Sequence, residues 1–237
     1  MSRRREWITA VVVFVVVWAA LAIPVGTFVY IHFIKDDAPP PLKLESVDKD
    51  KSNSSSTTAA TPASIDGKWE VKSGSQVGYR AKEVLFGQSA EAAGRTTGVT
   101  GTMTIDGTTV EDAAFTADLT ALKSDSDNRD NQVQGRILNT AEFPNATFKV
   151  TKAIALGSAP ADLKQITVDA TGELTVHGTT KPVTIKITAR RNGDVIETNG
   201  SVPITWSEYG IDSPSGGPAT VEDSGSMEFL ITFTPAT

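Results

Sequence analysis

From Ile65 to the C-terminus, apolar residues recur at every second position, and turn-forming residues interrupt the pattern about every ten residues. Late in the chain, for example, Val183 and Ile185 alternate with Thr184 and Lys186. A period of two is typical of strands that have one dry face and one wet face. Short strands at this spacing predict an all-β sandwich or barrel. We count about eight strands, the number that closes a barrel whose interior is either filled by side chains or wide enough for one slender ligand.

Two turn dipeptides and one break in the alternation refine this prediction. An Asp-Gly pair at 106–107 and an Asn-Gly pair at 192–193 each separate two alternating segments, and both pairs favour the positive φ angles of tight hairpin turns. Residues 125–128 are instead rich in helix-capping Asp, Ser and Asn, and Val133 with Ile137 forms an i, i+4 apolar pair. The sequence therefore predicts two hairpins and a short helix over one end of the barrel.

The N-terminal part of the chain has a different character. Residues 7–34 form a hydrophobic run of 28 residues that contains no Asp, Glu, Lys or Arg, and three arginines precede it. A helix of this length spans about 42 Å, more than the roughly 30 Å hydrocarbon core of a bilayer, so it can cross a membrane with tilt. The positive-inside rule then makes residues 1–6 a cytoplasmic tail and places the rest of the chain outside. We expect a single-pass plasma-membrane protein with an extracytoplasmic C-terminal domain.

A cleaved secretory signal is the alternative interpretation of the same run. The arginines, the apolar stretch and an Ala-Leu-Ala triplet at 20–22 resemble the three parts of such a signal. The run continues for twelve residues beyond Ala22, which favours an anchor. Both interpretations export the domain.

The segment between the anchor and the domain has no apolar periodicity. Residues 35–64 contain three consecutive prolines and a stretch rich in Ser and Thr. This composition predicts a disordered tether, followed by one domain at 65–237. Thirty flexible residues would have a root-mean-square span on the order of 30 Å.

Composition and spacing leave little room for catalysis or metal binding. The chain has no cysteine, and its formal charge of −6 makes nucleic acid an unfavourable partner. His177 is the only histidine outside the hydrophobic run, so a two-histidine metal site is excluded and a Ser-His-Asp triad would depend on it alone. Residues 125–127 begin like a calcium loop, but the sixth position is Asp130 and the twelfth is Arg136. We expect no catalytic residues, no metal and no cofactor.

The segment 172–185, GELTVHGTTKPVTI, resembles a hallmark of the bacterial YceI-like, lipocalin-like proteins. The other similar segments, in chain order, are 69–79, Arg129-Asp130, EFPNATF at 142–148 and WSEYGI at 206–211. The resemblance begins at Ile65 and continues to the C-terminus. It implies an eight-stranded antiparallel lipocalin-like barrel with a short helix near its mouth, and a long apolar channel for an amphiphile such as a polyisoprenoid or quinone-like lipid. It also implies homodimerisation, which nothing else in the sequence indicates.

The alternation and the resemblance together name the residues of the predicted channel. The apolar candidates for its lining are Phe115, Phe148, Leu174, Val176, Val183, Ile185, Trp206, Phe229 and Ile231. The candidates for contacts to a phosphate or other polar head group are Arg80, Arg95, Arg129 and Arg136, since guanidinium groups make bidentate contacts.

Three functional hypotheses follow. The first is non-catalytic binding of an isoprenoid-type lipid in the barrel of a membrane-tethered extracytoplasmic domain. The second is an envelope stress or interaction protein whose packed barrel binds a protein or glycan through loops such as 213–223. The third is a hydrolase that uses His177 or the region of Glu208 and Asp212.

Overall fold

The computed structural model describes residue 25 and residues 38–45, 64–85, 87–157, 163–216 and 219–236. The predicted anchor at 7–34 lies outside these residues except for Val25. The predicted cytoplasmic tail at 1–6 and the parts 35–37 and 46–63 of the predicted tether lie outside them as well. The anchor therefore stays a prediction. In the part of the chain that the structure describes, no helix has both the length and the apolar character needed to cross a membrane.

The described residues form eleven strands and one short α-helix. In chain order the strands are β1 (Gly67–Val71), β2 (Gln76–Leu85), β3 (Gln88–Thr96), β4 (Val99–Asp106), β5 (Thr109–Asp118), β6 (Asn145–Val150), β7 (Ile154–Ala155), β8 (Ile166–Val176), β9 (Thr179–Asn192), β10 (Val195–Thr205) and β11 (Ala219–Pro235). The helix α1 (Asp127–Gln132) lies between β5 and β6 and continues as a π-helical turn, Val133–Ile137. A single 3₁₀ turn, Trp206–Tyr209, follows β10.

The eleven segments make eight barrel strands, because three barrel strands are each interrupted once. β1 and β2 both pair with β11, β3 and β4 pair with β2 and β1, and β6 and β7 both pair with β5. Each barrel strand is antiparallel to the next along the chain, and the first also pairs with the last, so the sheet closes. This confirms the predicted eight-stranded antiparallel barrel.

Both predicted hairpins are present. The turn at Gly107 joins β4 to β5, and the turn at Gly193 joins β9 to β10. The two glycines have φ angles of 58° and 59°, a left-handed conformation that side chains other than glycine rarely adopt. The turn chemistry visible in the sequence therefore sets both hairpin positions.

The predicted short helix is also present, and it covers one end of the barrel, here called the helix end. Ser124 holds α1 in place, since its main-chain N–H and its hydroxyl both donate to the carboxylate of Asp130 at 2.7 Å. Val133 and Ile137 of the π-helical turn project their side chains inward and contact the apolar cluster below. The opposite end, here called the β1 end, is surrounded by a second apolar cluster that includes Trp69 and Phe233.

Part of the predicted tether lies against the outer wall of the barrel instead of hanging free. These residues, 38–45, are here called the strap. Leu42 is only 8 % exposed; its N–H donates to Glu228 Oε2 at 3.3 Å, and Asn199 Nδ2 donates to its carbonyl at 3.3 Å. Arg80 Nη2 donates to the carbonyl of Pro39, and Arg190 Nη1 donates to that of Glu45, both at 2.6 Å. Composition predicted no contacts here, because the groups that hold the strap belong to distant strands.

Candidate ligand-binding cavity

The barrel interior contains two apolar cavities. The first, of about 150 Å³, occupies the β1 end, and the second, of about 120 Å³, lies below α1 at the helix end. Val77 and Met227 line both, so the cavities adjoin near the middle of the barrel. An apolar cavity of about 150 Å³ is large enough to take up a benzene-sized molecule. The interior is therefore hollow along much of its length.

Strand alternation brings most of the predicted lining residues into these cavities. The first cavity is lined by Phe115, Phe148, Leu174, Ile185, Phe229 and Ile231, among others. The second is lined by Val176 and Trp206. Val183 borders neither cavity and packs against the apolar cluster at the helix end.

Five inward-facing aromatic rings lie against the barrel wall, each over a glycine of a neighbouring strand. The pairs are Phe115 over Gly101, Phe148 over Gly172, Phe229 over Gly200, Trp206 over Gly225 and Tyr79 over Gly94. A Cβ atom added to any of these glycines would fall 2.4–2.6 Å from a ring atom. Each ring thus fills the place of a missing side chain, which keeps it on the wall and leaves space near the axis. The inward-facing glycines were a sequence signal for this close approach of the rings, but the lining residues were predicted without them.

A buried ion pair borders the second cavity. The side chain of Glu83 is 1 % exposed and points inward from β2. Arg129 of α1 donates to both of its carboxylate oxygens, at 2.9 and 3.0 Å, and its Nε donates to Asp125 at 2.9 Å. Burial opposes the charge of Arg129, but the hydrogen bonds and the negative charges of Glu83 and Asp125 more than offset this and raise the pKa of the guanidinium. The pair ties the helix to the barrel and leaves Arg129 fully charged.

The hydroxyl of Tyr79 lies in the same region. Its Oη atom is buried and has no hydrogen-bond partner among the residues that the structure describes, and the side chain lines the second cavity. Burial raises the pKa of Tyr79, and the charges of Asp125, Asp130 and Glu83 act in the same direction while Arg129 opposes them. The hydroxyl is therefore protonated at neutral pH and available as a donor. Tyr79 is not among the site residues predicted from the sequence.

Comparison with known proteins places this barrel in a family. The family model of the YceI-like domain matches residues 69–233. The chain belongs to the YceI-like family. This confirms the resemblance inferred from the segment at 172–185.

Relatives of this YceI-like chain are similar over part of their length. It is 37 % identical over 70 residues to a UPF0312 protein of Vibrio parahaemolyticus. The aligned segment covers 29 % of this chain and 33 % of that protein. It is 29 % identical over 137 residues to a UPF0312 protein of Pseudomonas fluorescens. The aligned segment covers 54 % of this chain and 68 % of that protein. The match thus spans a third of the first relative and about two thirds of the second.

Two solved structures share the fold of the YceI-like domain. One is a polyisoprenoid binding domain from Saccharophagus degradans implicated in plant cell wall breakdown, with a TM-score of 0.58 and 12 % identity, covering 71 % of this chain and 98 % of that one. The other is BcnA of Burkholderia cenocepacia, with a TM-score of 0.51 and 23 % identity. The match covers 69 % of this chain and 96 % of that one. At these identities the likeness concerns the barrel fold alone.

Of the four arginines predicted to contact a head group, one borders a cavity of the YceI-like domain. Arg129 lines the second cavity. Arg80 and Arg95 lie on the outer wall, where both pair with Glu228 and donate to carbonyls of the strap, because alternation along β2 and β3 turns them away from the interior. Arg136 donates to the carbonyls of residues 213–215. For these three residues the structure differs from the predicted position.

His177 occupies the turn between β8 and β9 of the YceI-like domain. Its ring packs edge-on against Phe143, with 4.7 Å between centroids, and its Nδ1 lies 3.3 Å from the carbonyl oxygen of Tyr209. It borders neither cavity. Within the described ranges, no cluster of three or more His, Cys, Asp or Glu side chains has the geometry to hold a metal ion. A structural role in the turn accounts for these contacts of His177.

Proposed function

We propose that the YceI-like domain binds the apolar chain of an isoprenoid-type lipid inside its barrel and catalyses no reaction on it. The observation that carries this proposal is the pair of adjoining apolar cavities inside a closed barrel. An isoprenoid chain has no polar group outside its head, so it can enter an apolar interior without leaving a buried donor or acceptor unpaired. Each Å² of its surface removed from water contributes roughly 25 cal/mol.

The comparison with solved folds supports the same class of ligand. The domain from Saccharophagus degradans is described as a polyisoprenoid binding domain, and it shares the barrel. The alternative hypothesis of an interaction protein requires a packed barrel, and the two cavities argue against it. In our proposal residues 7–34 anchor the chain in the plasma membrane, residues 1–6 are cytoplasmic, and the barrel is extracytoplasmic. The lipid can bind to a single barrel, so homodimerisation is not required.

A matched pair of substitutions tests lipid binding. Ala113 on β5 faces the first cavity, and its neighbour Asp112 is exposed on the outside. Ala113→Leu fills part of the cavity, whereas Asp112→Leu adds the same side chain to the outer surface. We expect the full chain, purified from bacterial membranes, to carry an isoprenoid lipid that native mass spectrometry and lipid extraction detect. Ala113→Leu should reduce the bound fraction severalfold, and Asp112→Leu should leave it unchanged.

The control for this experiment is the melting temperature of both variants, which should show that each is folded. A wild-type chain that carries no isoprenoid, and takes up none when geranylgeraniol is added, would contradict the proposal. Equal loss of lipid in both variants would show that the lipid is bound elsewhere on the protein.

A further inference from the structure

We infer that Tyr79 recognises the polar head of the ligand, and that this head is an uncharged hydrogen-bond acceptor held at the helix end of the barrel. This inference rests on the proposed lipid binding. It adds the class of the head group, the residue that donates a hydrogen bond to it and the orientation of the ligand in the barrel. A ketone, quinone or alcohol fits this description, whereas a phosphate does not.

The hydroxyl group of Tyr79 is buried and needs a hydrogen-bond partner. Buried polar atoms in proteins are almost always hydrogen-bonded, so an exception needs an explanation. Tyr79 Oη is buried without a partner among the described residues, and the side chain borders the second cavity. A Cβ on Gly94 would lie 2.5 Å from Cε1 of the tyrosine, so the ring is seated closely on the wall. An acceptor inside the cavity would satisfy this donor.

The charged residues around the second cavity determine which head groups can bind there. Arg129 is the arginine that borders the second cavity, and Glu83 already holds it through two hydrogen bonds while Asp125 takes a third. A phosphate at this place would lie beside two carboxylates and would have to break the pair to reach the guanidinium. Asp130, also close to Tyr79, pairs with Lys123 at 3.1 Å. The region around Tyr79 therefore disfavours an anion and accepts a neutral head.

The apolar lining of the first cavity sets the orientation of the ligand in the barrel. The first cavity is apolar almost throughout, which suits a hydrocarbon tail. The two charged residues on its border are engaged elsewhere, since Arg190 pairs with Glu197 at 2.6 Å and Glu228 pairs with arginines of the outer wall. The ligand thus lies with its tail toward the β1 end and its head below α1, next to Tyr79.

The test uses the substitution Tyr79→Phe, which removes only the hydroxyl. The probes share one geranylgeranyl (C20) tail and differ at the head: geranylgeranylacetone carries a ketone, geranylgeranyl phosphate carries a charge, and the parent tetraene hydrocarbon carries hydrogen in place of a head. Equilibrium binding to the full chain is measured for each. We expect the wild type to bind the ketone more tightly than either other probe. Tyr79→Phe should weaken ketone binding about three- to tenfold, the effect of one neutral hydrogen bond, and leave binding of the parent hydrocarbon unchanged.

Tyr209→Phe is the matched control. Tyr209 is buried at the helix end, but it does not border either cavity, so its substitution should change the affinity of no probe. Equal weakening of ketone and parent-hydrocarbon binding by Tyr79→Phe, or no weakening at all, would overturn the role of Tyr79. Tighter binding of the phosphate than of the ketone by the wild type would overturn the uncharged head.

Two further outcomes are distinguishable from these. If Tyr79→Phe does not fold, the wild type still tests the inference, because equal affinities for the ketone and the parent hydrocarbon would mean that no group of the protein binds the head. If the folded wild type binds none of the probes, the proposed lipid function fails and this inference fails with it.

Discussion

Single glycines determine how much space the aromatic residues leave in the barrel. Gly200 on β10 shows this best, because a Cβ there would fall 2.6 Å from Cζ of Phe229 and 3.0 Å from the carbonyl oxygen of Lys186. Gly200→Ala must therefore push the ring toward the axis or shift the strand. We expect a loss of about 1–3 kcal/mol in the free energy of unfolding, together with weaker lipid binding. Denaturant unfolding and equilibrium binding of geranylgeraniol measure the two effects.

Gly135→Ala is the control for this prediction. Gly135 lies in the π-helical turn with nothing within 4 Å of an added Cβ, so the substitution should be neutral or slightly stabilising. If both variants lose the same stability and the same affinity, the contact between Phe229 and Gly200 does not keep the cavity open.

The interior residues were accessible to sequence reasoning because alternation along a strand fixes the face of each side chain. Eight of the nine predicted lining residues border a cavity for this reason, and Val183 is the exception. The head-group candidates were less accessible, since long arginine side chains reach partners that only the fold reveals. Arg80 and Arg95 could be placed outside by alternation, but their contacts with Glu228 join residues more than a hundred positions apart.

At the scale of elements, α1 depends on one buried carboxylate. Asp130 accepts two hydrogen bonds from Ser124 and pairs with Lys123, and these contacts outweigh burial and lower the pKa of the carboxyl below its usual value. A carboxyl with a lowered folded-state pKa contributes stability above its unfolded pKa, near 3.9, and loses it as the pH falls through the folded value. We expect Asp130→Asn to lower the free energy of unfolding by about 1–3 kcal/mol at pH 7.

The pH dependence makes this prediction specific. The difference between wild type and Asp130→Asn should shrink as the pH falls below about 4, where the carboxyl of the unfolded chain becomes protonated, and should be smallest below the lowered folded-state pKa. Urea unfolding at pH 7, 5 and 2.5 measures it, with Asp127→Asn as the control because the side chain of Asp127 is 98 % exposed. A constant difference across this range would show that the charge of Asp130 does not stabilise α1.

Elements defined by local signals were predicted from the sequence, and those defined by distant contacts were not. The glycine turns at 106–107 and 192–193 set two hairpins, and the Asp- and Ser-rich stretch before α1 signalled a helix start. The strap was missed because its prolines and polar residues are typical of a disordered tether. It is held by side chains of β2, β3, β9, β10 and β11, which no local pattern relates to residues 38–45.

At the scale of the whole molecule, we expect the strap to shorten the distance between the barrel and the proposed anchor. If residues 7–34 span the membrane, only residues 35–37 separate the end of the anchor from the strap. Four Cα steps of 3.8 Å reach at most about 15 Å. A free tether of thirty residues would instead allow a root-mean-square span on the order of 30 Å. With such an anchor, the docked strap would hold the outer wall around Arg80 close to the membrane surface.

Releasing the strap should let the barrel move away from the membrane. Leu42→Asp puts a carboxylate into a buried position beside Glu228, where repulsion and the loss of apolar contact disfavour docking. The chain has no cysteine, so Lys82→Cys, at an exposed position two residues after Arg80, provides a single site for a fluorescent donor. Energy transfer to acceptor lipids in nanodiscs should be efficient with the native strap and clearly lower with Leu42→Asp. Lys43→Asp adds the same carboxylate at the exposed neighbouring position and should leave the transfer unchanged. Equal transfer in all three proteins would mean that the strap does not set the distance between barrel and membrane.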